Sequence, residues 1–197
     1  MAEPTTTIPR VAVQRPHRAD ARRNFDALLE AARDVFGTQG TSASLEEIAR
    51  RAGVGIGTLY RNFPNRQALL ETLYLEEVEG ICRMAEEQRE SDDPWEALAS
   101  WFERFIGYIA TKQALAAELT NYLDRDAQLF KSSRAALWAA GEPLLTRAQE
   151  AGVVRPDAEI GDVMHMVMGI AKIPSADPSQ TTHIVRIALD GLRYRPA

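Results

Sequence analysis

Between Ser44 and Leu69 the chain reads SLEEIARRAGVGIGTLYRNFPNRQAL, two short helical patterns divided by a glycine and closed by a proline. Ser44 and Glu47 stand at the spacing of a capping box, in which each side chain satisfies the other's free backbone donor. Leu45, Ile48 and Ala49 then form an apolar stripe on one short helix. Gly53 follows four residues after Ala49, where a tight turn needs a left-handed or unhindered backbone. A second short helix, residues 55–62, buries Leu59 against the first. Pro64 cannot continue it, and Asn65 is placed to cap the next helix. Such a unit is a helix-turn-helix locked onto a third helix, and it presents one helix to a DNA major groove.

Charge has to agree with that reading. The 197-residue chain carries a net charge of −5, which looks wrong for a DNA binder until it is divided. Residues 1–66 hold ten Arg and seven acids, whereas residues 67–197 hold thirteen Lys or Arg and twenty-one acids. The acidity therefore lies away from the helix-turn-helix, although ordinary scatter of surface charge gives a balance of this size too. The length suits one large domain or two small ones, with ample material for a core. Cys82 is the only cysteine, so no intrachain disulfide can form. No apolar run approaches the ~20 residues of a membrane span, and the N-terminus has no signal-peptide core. A cytoplasmic protein without a membrane partner is expected.

Residues 1–20, rich in Pro, Thr and Arg, read as a flexible basic arm. Arg10, Arg15, Arg18, Arg22 and Arg23 can lie along phosphates or enter a minor groove, or the first residues form a solvated tail. From Arg22, Phe25, Leu28, Leu29, Ala32, Val35 and Phe36 share one helical face, which Gly37 or Gly40 ends. After Asn65 a long helix runs to about Arg89, and Ser91 to Pro94 breaks it. Next come a helix carrying Leu98, Trp101, Phe102, Phe105 and Ile109, and a shorter one over about Leu115 to Tyr122. A longer helix, about Asp126 to Ala151, contains Pro143, which should kink or split it, and stops at Gly152. Asp157 can cap a helix bearing Ile160, Val163, Met164, Val167, Met168 and Ala171. Pro174 and Pro178 bracket a loop before a last helix over about Gln180 to Arg193. No alternating strand pattern is present. The fold class expected is all-α, with about nine helices.

The segment GTLYRNFPNRQAL resembles the signature of the tetracycline-repressor (TetR) family of bacterial transcription regulators, through Gly57-Thr58-Leu59-Tyr60, the Phe63-Pro64 pair and the basic Arg66. The resemblance covers about the first third of the chain. Downstream it is supported by length, helical pattern and the ending ALDGLRYRP. It implies a three-helix DNA-binding domain over residues 21–66, following the arm. It also implies a divergent helical domain for ligand binding and dimerisation over residues 67–197.

By this resemblance Thr58 and Tyr60 meet DNA, Thr58 at phosphate or a base edge and Tyr60 at phosphate. Tyr60 has a packing role as its alternative. Leu59 and Phe63 read as core. Arg66 would hold a phosphate at the start of the fourth helix. Arg22, Thr41 and Ser44 are further contact candidates, Ser44 being equally a pure cap. Family members often have a polar residue and a lysine where this chain has Gly55 and Ile56. Gly55 and Gly57 cost the helix up to ~1 kcal/mol each, which close backbone approach to DNA would explain; a simple N-cap is the equal alternative for Gly55. Ile56 can offer only apolar contact to a thymine methyl. Base readout is therefore expected from Thr58 with Ile56, supplemented by DNA shape.

In the second domain, Trp101, Phe102, Phe105, Tyr108, Tyr122, Phe130 and Trp138 sit on three successive helices. The family's pocket for a small hydrophobic effector is implied there, with plain core packing as the alternative. Val163, Val167, Ile184, Ile187, Ala188 and Leu192 lie on the last two helices, whose pairing across a two-fold axis would form a homodimer. Two recognition helices one DNA turn apart, about 34–36 Å, would then read a near-palindromic operator in double-stranded DNA. His17, His165 and His183 lack metal-ligand spacing. No phosphate loop and no nucleophile in a catalytic setting is present, so neither a cofactor nor an enzyme is expected. The function expected is a ligand-responsive repressor. An architectural DNA-binding protein without an effector and an all-helical enzyme are the alternatives.

Overall fold

A computed structural model of the chain describes residues 13–40, 42–124, 127–173 and 178–194. Among these residues it is all-helical: α1 (Ala19–Gln39), α2 (Leu45–Arg51), α3 (Ile56–Asn62), α4 (Arg66–Gln88), α5 (Pro94–Leu119), α6 (Gln128–Glu150), α7 (Ile160–Ile170) and α8 (Pro178–Asp190). Among the described residues, an antiparallel bridge outside the helices pairs Val154 with Arg193. The contacts divide the chain into two compact units. Of the described residues, one unit contains those within 13–77 and 111–130; the other contains those within 78–110 and 131–194. Thr41 and the loop between Pro174 and Pro178 lie outside the described residues.

In the first unit, α1 buries Phe25, Leu28, Leu29, Ala32, Val35 and Phe36, the stripe its spacing predicts. Gly40, at φ 76°, ends it. Around this stripe α2 contributes Ile48 and Ala49, α3 contributes Leu59, and α4 adds Leu69, Leu70 and Leu73. Phe63 closes the cluster, its ring 4.9 Å from that of Phe25. Burying each such large apolar side chain contributes about 1.5–3 kcal/mol, far more than the intrinsic preference of a seven-residue helix. Packing is thus what keeps α2 and α3 helical.

In the second unit, the buried residues include Leu98, Trp101, Phe102 and Phe105 of α5, Leu137, Leu144 and Leu145 of α6, Met164 and Val167 of α7, and Val185 and Leu189 of α8. The Trp101 indole N–H donates to the Ile81 carbonyl at 3.1 Å. On the surface, Arg186 of α8 reaches Glu103 at 2.7 Å and Glu96 at 2.8 Å on α5.

Three expectations are corrected. The helix carrying Leu98 to Ile109 and the shorter one read from about Leu115 are one element, α5, which ends at Leu119, because residues 110–119 contain neither Pro nor Gly and are rich in strong helix formers. Pro143 does not split α6, which runs through it from Gln128 to Glu150. Asp157 does not cap α7: its carboxylate is held by Arg155 at 2.6 and 2.7 Å, and Glu159 takes the N-cap position without a side-chain bond. Gly152 does stop α6, at φ 69°.

Candidate nucleic-acid interface

The turn between α2 and α3 follows from local chemistry. Ser44 Oγ accepts from the Glu47 backbone N–H at 3.2 Å, giving one half of the capping box. The Glu47 carboxylate turns instead to Arg50, accepting from Nε and Nη2 at 2.8 Å each. That bond, with the nearby charges of Arg50 and Arg51, holds Glu47 below the usual carboxylate range. At the other end, the Gly53 N–H donates to the Arg50 carbonyl at 3.1 Å and the Val54 N–H to the Ala49 carbonyl at 3.0 Å. This is a Schellman motif, and it needs the left-handed backbone that Gly53 supplies at φ 69°. Asn65 Oδ1 accepts from the Ala68 N–H at 2.8 Å, capping α4 as its position predicts.

Between these caps, α3 has a buried back and an open front. Leu59 and Phe63 are fully buried, whereas Tyr60 is 47% and Ile56 37% exposed. Gly55 and Gly57 are exposed and Thr58 is half-buried. Gly55 is the N-cap at an ordinary φ of −71°, and no heavy atom stands within 4 Å of a Cβ built at Gly55 or Gly57. Nothing within the fold requires glycine at either position. Ser44 is exposed at the start of α2, and Arg22 is exposed on α1.

Arg66 departs from expectation. Its guanidinium donates to the Ala43 carbonyl at 2.8 Å, lies 5.3 Å over the Phe36 ring and stands 3.7 Å from the Glu118 carboxylate. The side chain is only 21% exposed and is held mainly by the fold, which leaves little of it open to a phosphate. The reason is its register: Arg66 precedes Leu69, Leu70 and Leu73 by three, four and seven residues, which puts it on the buried stripe of α4. Arg15 of the arm is likewise engaged, pairing with Asp26 of α1 at 2.5 Å. Its neighbours Val13, Gln14 and Pro16 line a cleft of about 500 Å³ together with Arg61, Asn62 and Asn65 at the end of α3.

Arg61 is a further candidate, absent from the contacts the resemblance implies. It is exposed on α3, and its Nη2 donates to Thr58 Oγ1 at 2.9 Å while Nε donates to the Gly57 carbonyl at 3.3 Å. The signal was present as a cation three residues after Thr58, the spacing of neighbours on one helix face.

The aromatic residues expected around an effector fall into both units. Trp101, Phe102 and Phe105 are fully buried, the Trp101 ring lying 4.9 Å from Phe102 and 5.7 Å from Phe105, and Tyr108 lies 5.8 Å from Phe105. Trp138 is half-buried and meets His165 edge-on at 5.9 Å. Phe130 packs edge-to-face on Tyr74 at 5.5 Å in the first unit, where Tyr122 is 43% exposed. Of the residues assigned to a subunit interface, Val163 and Val167 are 2% and 0% exposed and belong to the chain's own core. Ile184, Ala188 and Leu192 are half-buried, and Ile187 is 59% exposed. Among the described residues no group of three or more His, Cys, Asp or Glu is placed to hold a metal, and no helix is long and apolar enough to cross a membrane.

A family model described as "Bacterial regulatory proteins, tetR family" matches residues 28–73, the stretch that contains α2 and α3. A second, described as "Transcriptional regulator SbtR-like, C-terminal domain", matches residues 93–194. The chain belongs to the TetR family of bacterial transcriptional regulators. Among solved structures, it is similar to a TetR transcriptional regulator of Streptomyces coelicolor, at 37% identity and TM-score 0.77 over 87% of this chain and 99% of that one. It is also similar to a TetR transcription regulatory protein of Mycobacterium vanbaalenii, at 34% identity and TM-score 0.73 over 90% and 99%. The TetC protein of transposon Tn10 from Escherichia coli is 30% identical over 89 residues, a match that spans 45% of each chain. As a TetR regulator the chain has a DNA-binding helix-turn-helix formed by α2 and α3.

Proposed function

We propose that this TetR regulator is a homodimeric repressor that binds a near-palindromic operator through α3 and is released by a small hydrophobic effector. The observation that carries the reading is the division of α3: Leu59 and Phe63 anchor its back in the core, while Ile56 and Tyr60 stand exposed on its front. A helix fixed in this way can enter a major groove without rearranging its own packing. On that front Thr58 and Ile56 would read base edges, Tyr60 would donate to a phosphate, and the open backbone at Gly55 and Gly57 would permit close approach. Ser44, at the mouth of α2, and Arg22 would meet flanking phosphates, with Thr41 a further candidate. Arg66 is not proposed as a contact.

The dimer is proposed to form through the outward faces of α7 and α8, where His165, His183 and Ile187 are exposed and Ile184 and Ala188 are half-buried, with half-buried Leu192 just beyond α8. Two copies would place two α3 helices about one DNA turn apart. The effector is proposed to bind among the aromatic helices α5 and α6, with Tyr108 and Trp138 as polar-tipped contacts. Release requires that it bind one conformation of the chain more tightly than the DNA-competent one.

The test is fluorescence anisotropy of DNA from immediately upstream of the chain's own gene, at two salt concentrations with random competitor, together with sedimentation of the complex. Two chains per duplex and binding that survives competitor are expected. Binding lost equally to competitor, or one chain per duplex, would contradict the reading.

A further inference from the structure

The Arg61–Thr58 pair on α3 determines what the Thr58 hydroxyl can say to DNA. A hydroxyl carries one donor and two acceptor lone pairs, and ordinarily rotates to suit its partner. Here the Arg61 guanidinium sits on it as a donor at 2.9 Å, and Arg61 is itself steadied by the Gly57 carbonyl at 3.3 Å. The hydroxyl oxygen therefore accepts from Arg61 and turns its own proton away from the guanidinium. Helical threonines commonly give that proton to a carbonyl one turn back. Among the described residues no carbonyl takes it here, and the Thr58 carbonyl is itself occupied by Asn62 Nδ2 at 2.8 Å.

We propose that Arg61 is the positioning residue that biases Thr58 towards donating, so that Thr58 favours base edges presenting an acceptor in the major groove. The acceptors there are guanine O6 and N7, adenine N7 and thymine O4; cytosine N4 and adenine N6 present donors. With one lone pair already taken by Arg61 and a positive charge beside it, the hydroxyl disfavours the exocyclic amine of cytosine, which would have to compete for the remaining lone pair. The inference rests on α3 being the base-reading helix, and it adds that the preference at the Thr58 position is set by a residue that need not touch the base.

Arg61 has a competing role, as an ordinary cation on a phosphate, and the two roles predict different measurements. Wild type, Arg61→Met, Arg61→Lys, Thr58→Val and the Thr58→Val/Arg61→Met double variant are each taken through selection on a duplex pool with a randomised central segment. Salt dependence of binding is measured on the sequence the wild type enriches. Because Arg61 is exposed, matched melting temperatures for all five are the expected control. The expectation is that Arg61→Met and Thr58→Val relax preference at the same base pair, by about fivefold, the size of one neutral hydrogen bond. Arg61→Met should add nothing at that base pair in the Thr58→Val background, Arg61→Lys should retain part of the preference, and the salt slope should stay constant.

A uniform loss on all sequences, with a salt slope smaller by about 0.9 whether or not Thr58 is present, would overturn the proposal in favour of a phosphate contact. A base profile unchanged by Arg61→Met would overturn it as well. If the wild type itself enriches no sequence, what fails is the DNA-reading role of α3, and the Arg61 assignment falls with it.

Discussion

Arg66 and Ala43 are joined by a hydrogen bond of 2.8 Å across 23 residues of sequence, tying the first turn of α4 to the segment that leads into α2. With Phe36 below the guanidinium and Glu118 beside it, the contact makes Arg66 a brace of the helix-turn-helix. Arg66→Met should therefore destabilise the chain by about 2 kcal/mol, the worth of a largely buried hydrogen bond from a charged group. DNA binding at a temperature well below the melt should keep its salt slope. Calorimetry and a salt titration check this together; a slope lower by about one unit with unchanged stability would mean that Arg66 meets phosphate after all.

Gly141 is held to glycine by a ring. A Cβ there would lie 2.6 and 2.7 Å from two Trp101 ring carbons and 3.0 Å from Ile160 Cδ1. Trp101 cannot withdraw, being fully buried with its N–H on the Ile81 carbonyl. Gly141→Ala should cost about 1–3 kcal/mol in urea unfolding, because the overpacking outweighs the ~1 kcal/mol gain in helix propensity. Gly80 of α4 meets nothing within 4 Å, so Gly80→Ala should stabilise by up to ~1 kcal/mol.

Tyr60, half exposed on α3, tests the phosphate contact. Tyr60→Phe removes only a hydroxyl, so affinity should fall about tenfold on operator and random DNA alike, as for one hydrogen bond to a charged group. No cation is lost, and the salt slope should be unaltered. A loss confined to the operator would place the hydroxyl on a base.

The Cys82 thiol is pushed up to about 11 by burial, with the Glu79 charge adding to it. Its alkylation by iodoacetamide at pH 8 should be slow in the folded chain, since about one thiol in a thousand is ionised there. The rate should climb roughly tenfold per pH unit towards pH 11 and be fast at once on unfolding. A raised folded value favours the protonated, folded form below the ordinary value of 9.0, so this stabilising contribution is lost as pH rises through about 11. A labelling rate that levels off near pH 9 would contradict the burial.

The helix-turn-helix is legible from sequence because each of its signals acts over a few residues. Ser44 caps, Gly53 takes the left-handed turn, Leu59 and Phe63 go inside, and Asn65 caps again. Arg66 shows how a resemblance can obscure a register: its spacing from Leu69, Leu70 and Leu73 already placed it on the buried face of α4. Val163 and Val167 show the reverse limit. A broad apolar stripe says that a face is covered, not whether the chain's own core or a second copy covers it. In α5 the expected break had no Pro or Gly to cause it, and in α6 tertiary packing carries the helix through Pro143. Asp157 is matched by spacing to a cap, but an arginine two residues away competes for it and wins.

The central claim is that the front of α3 reads DNA sequence. The most direct measurement is selection on a randomised duplex pool by the wild type and by one variant carrying Ile56→Ala, Thr58→Ala and Tyr60→Ala, whose buried Leu59 and Phe63 are left intact. The wild type is expected to enrich a near-palindrome with half-sites about one helical turn apart. The variant, melting close to the wild type, should enrich none and retain only weak, salt-sensitive binding. A variant that still enriches the same sequence would show that the reading surface lies elsewhere on the chain.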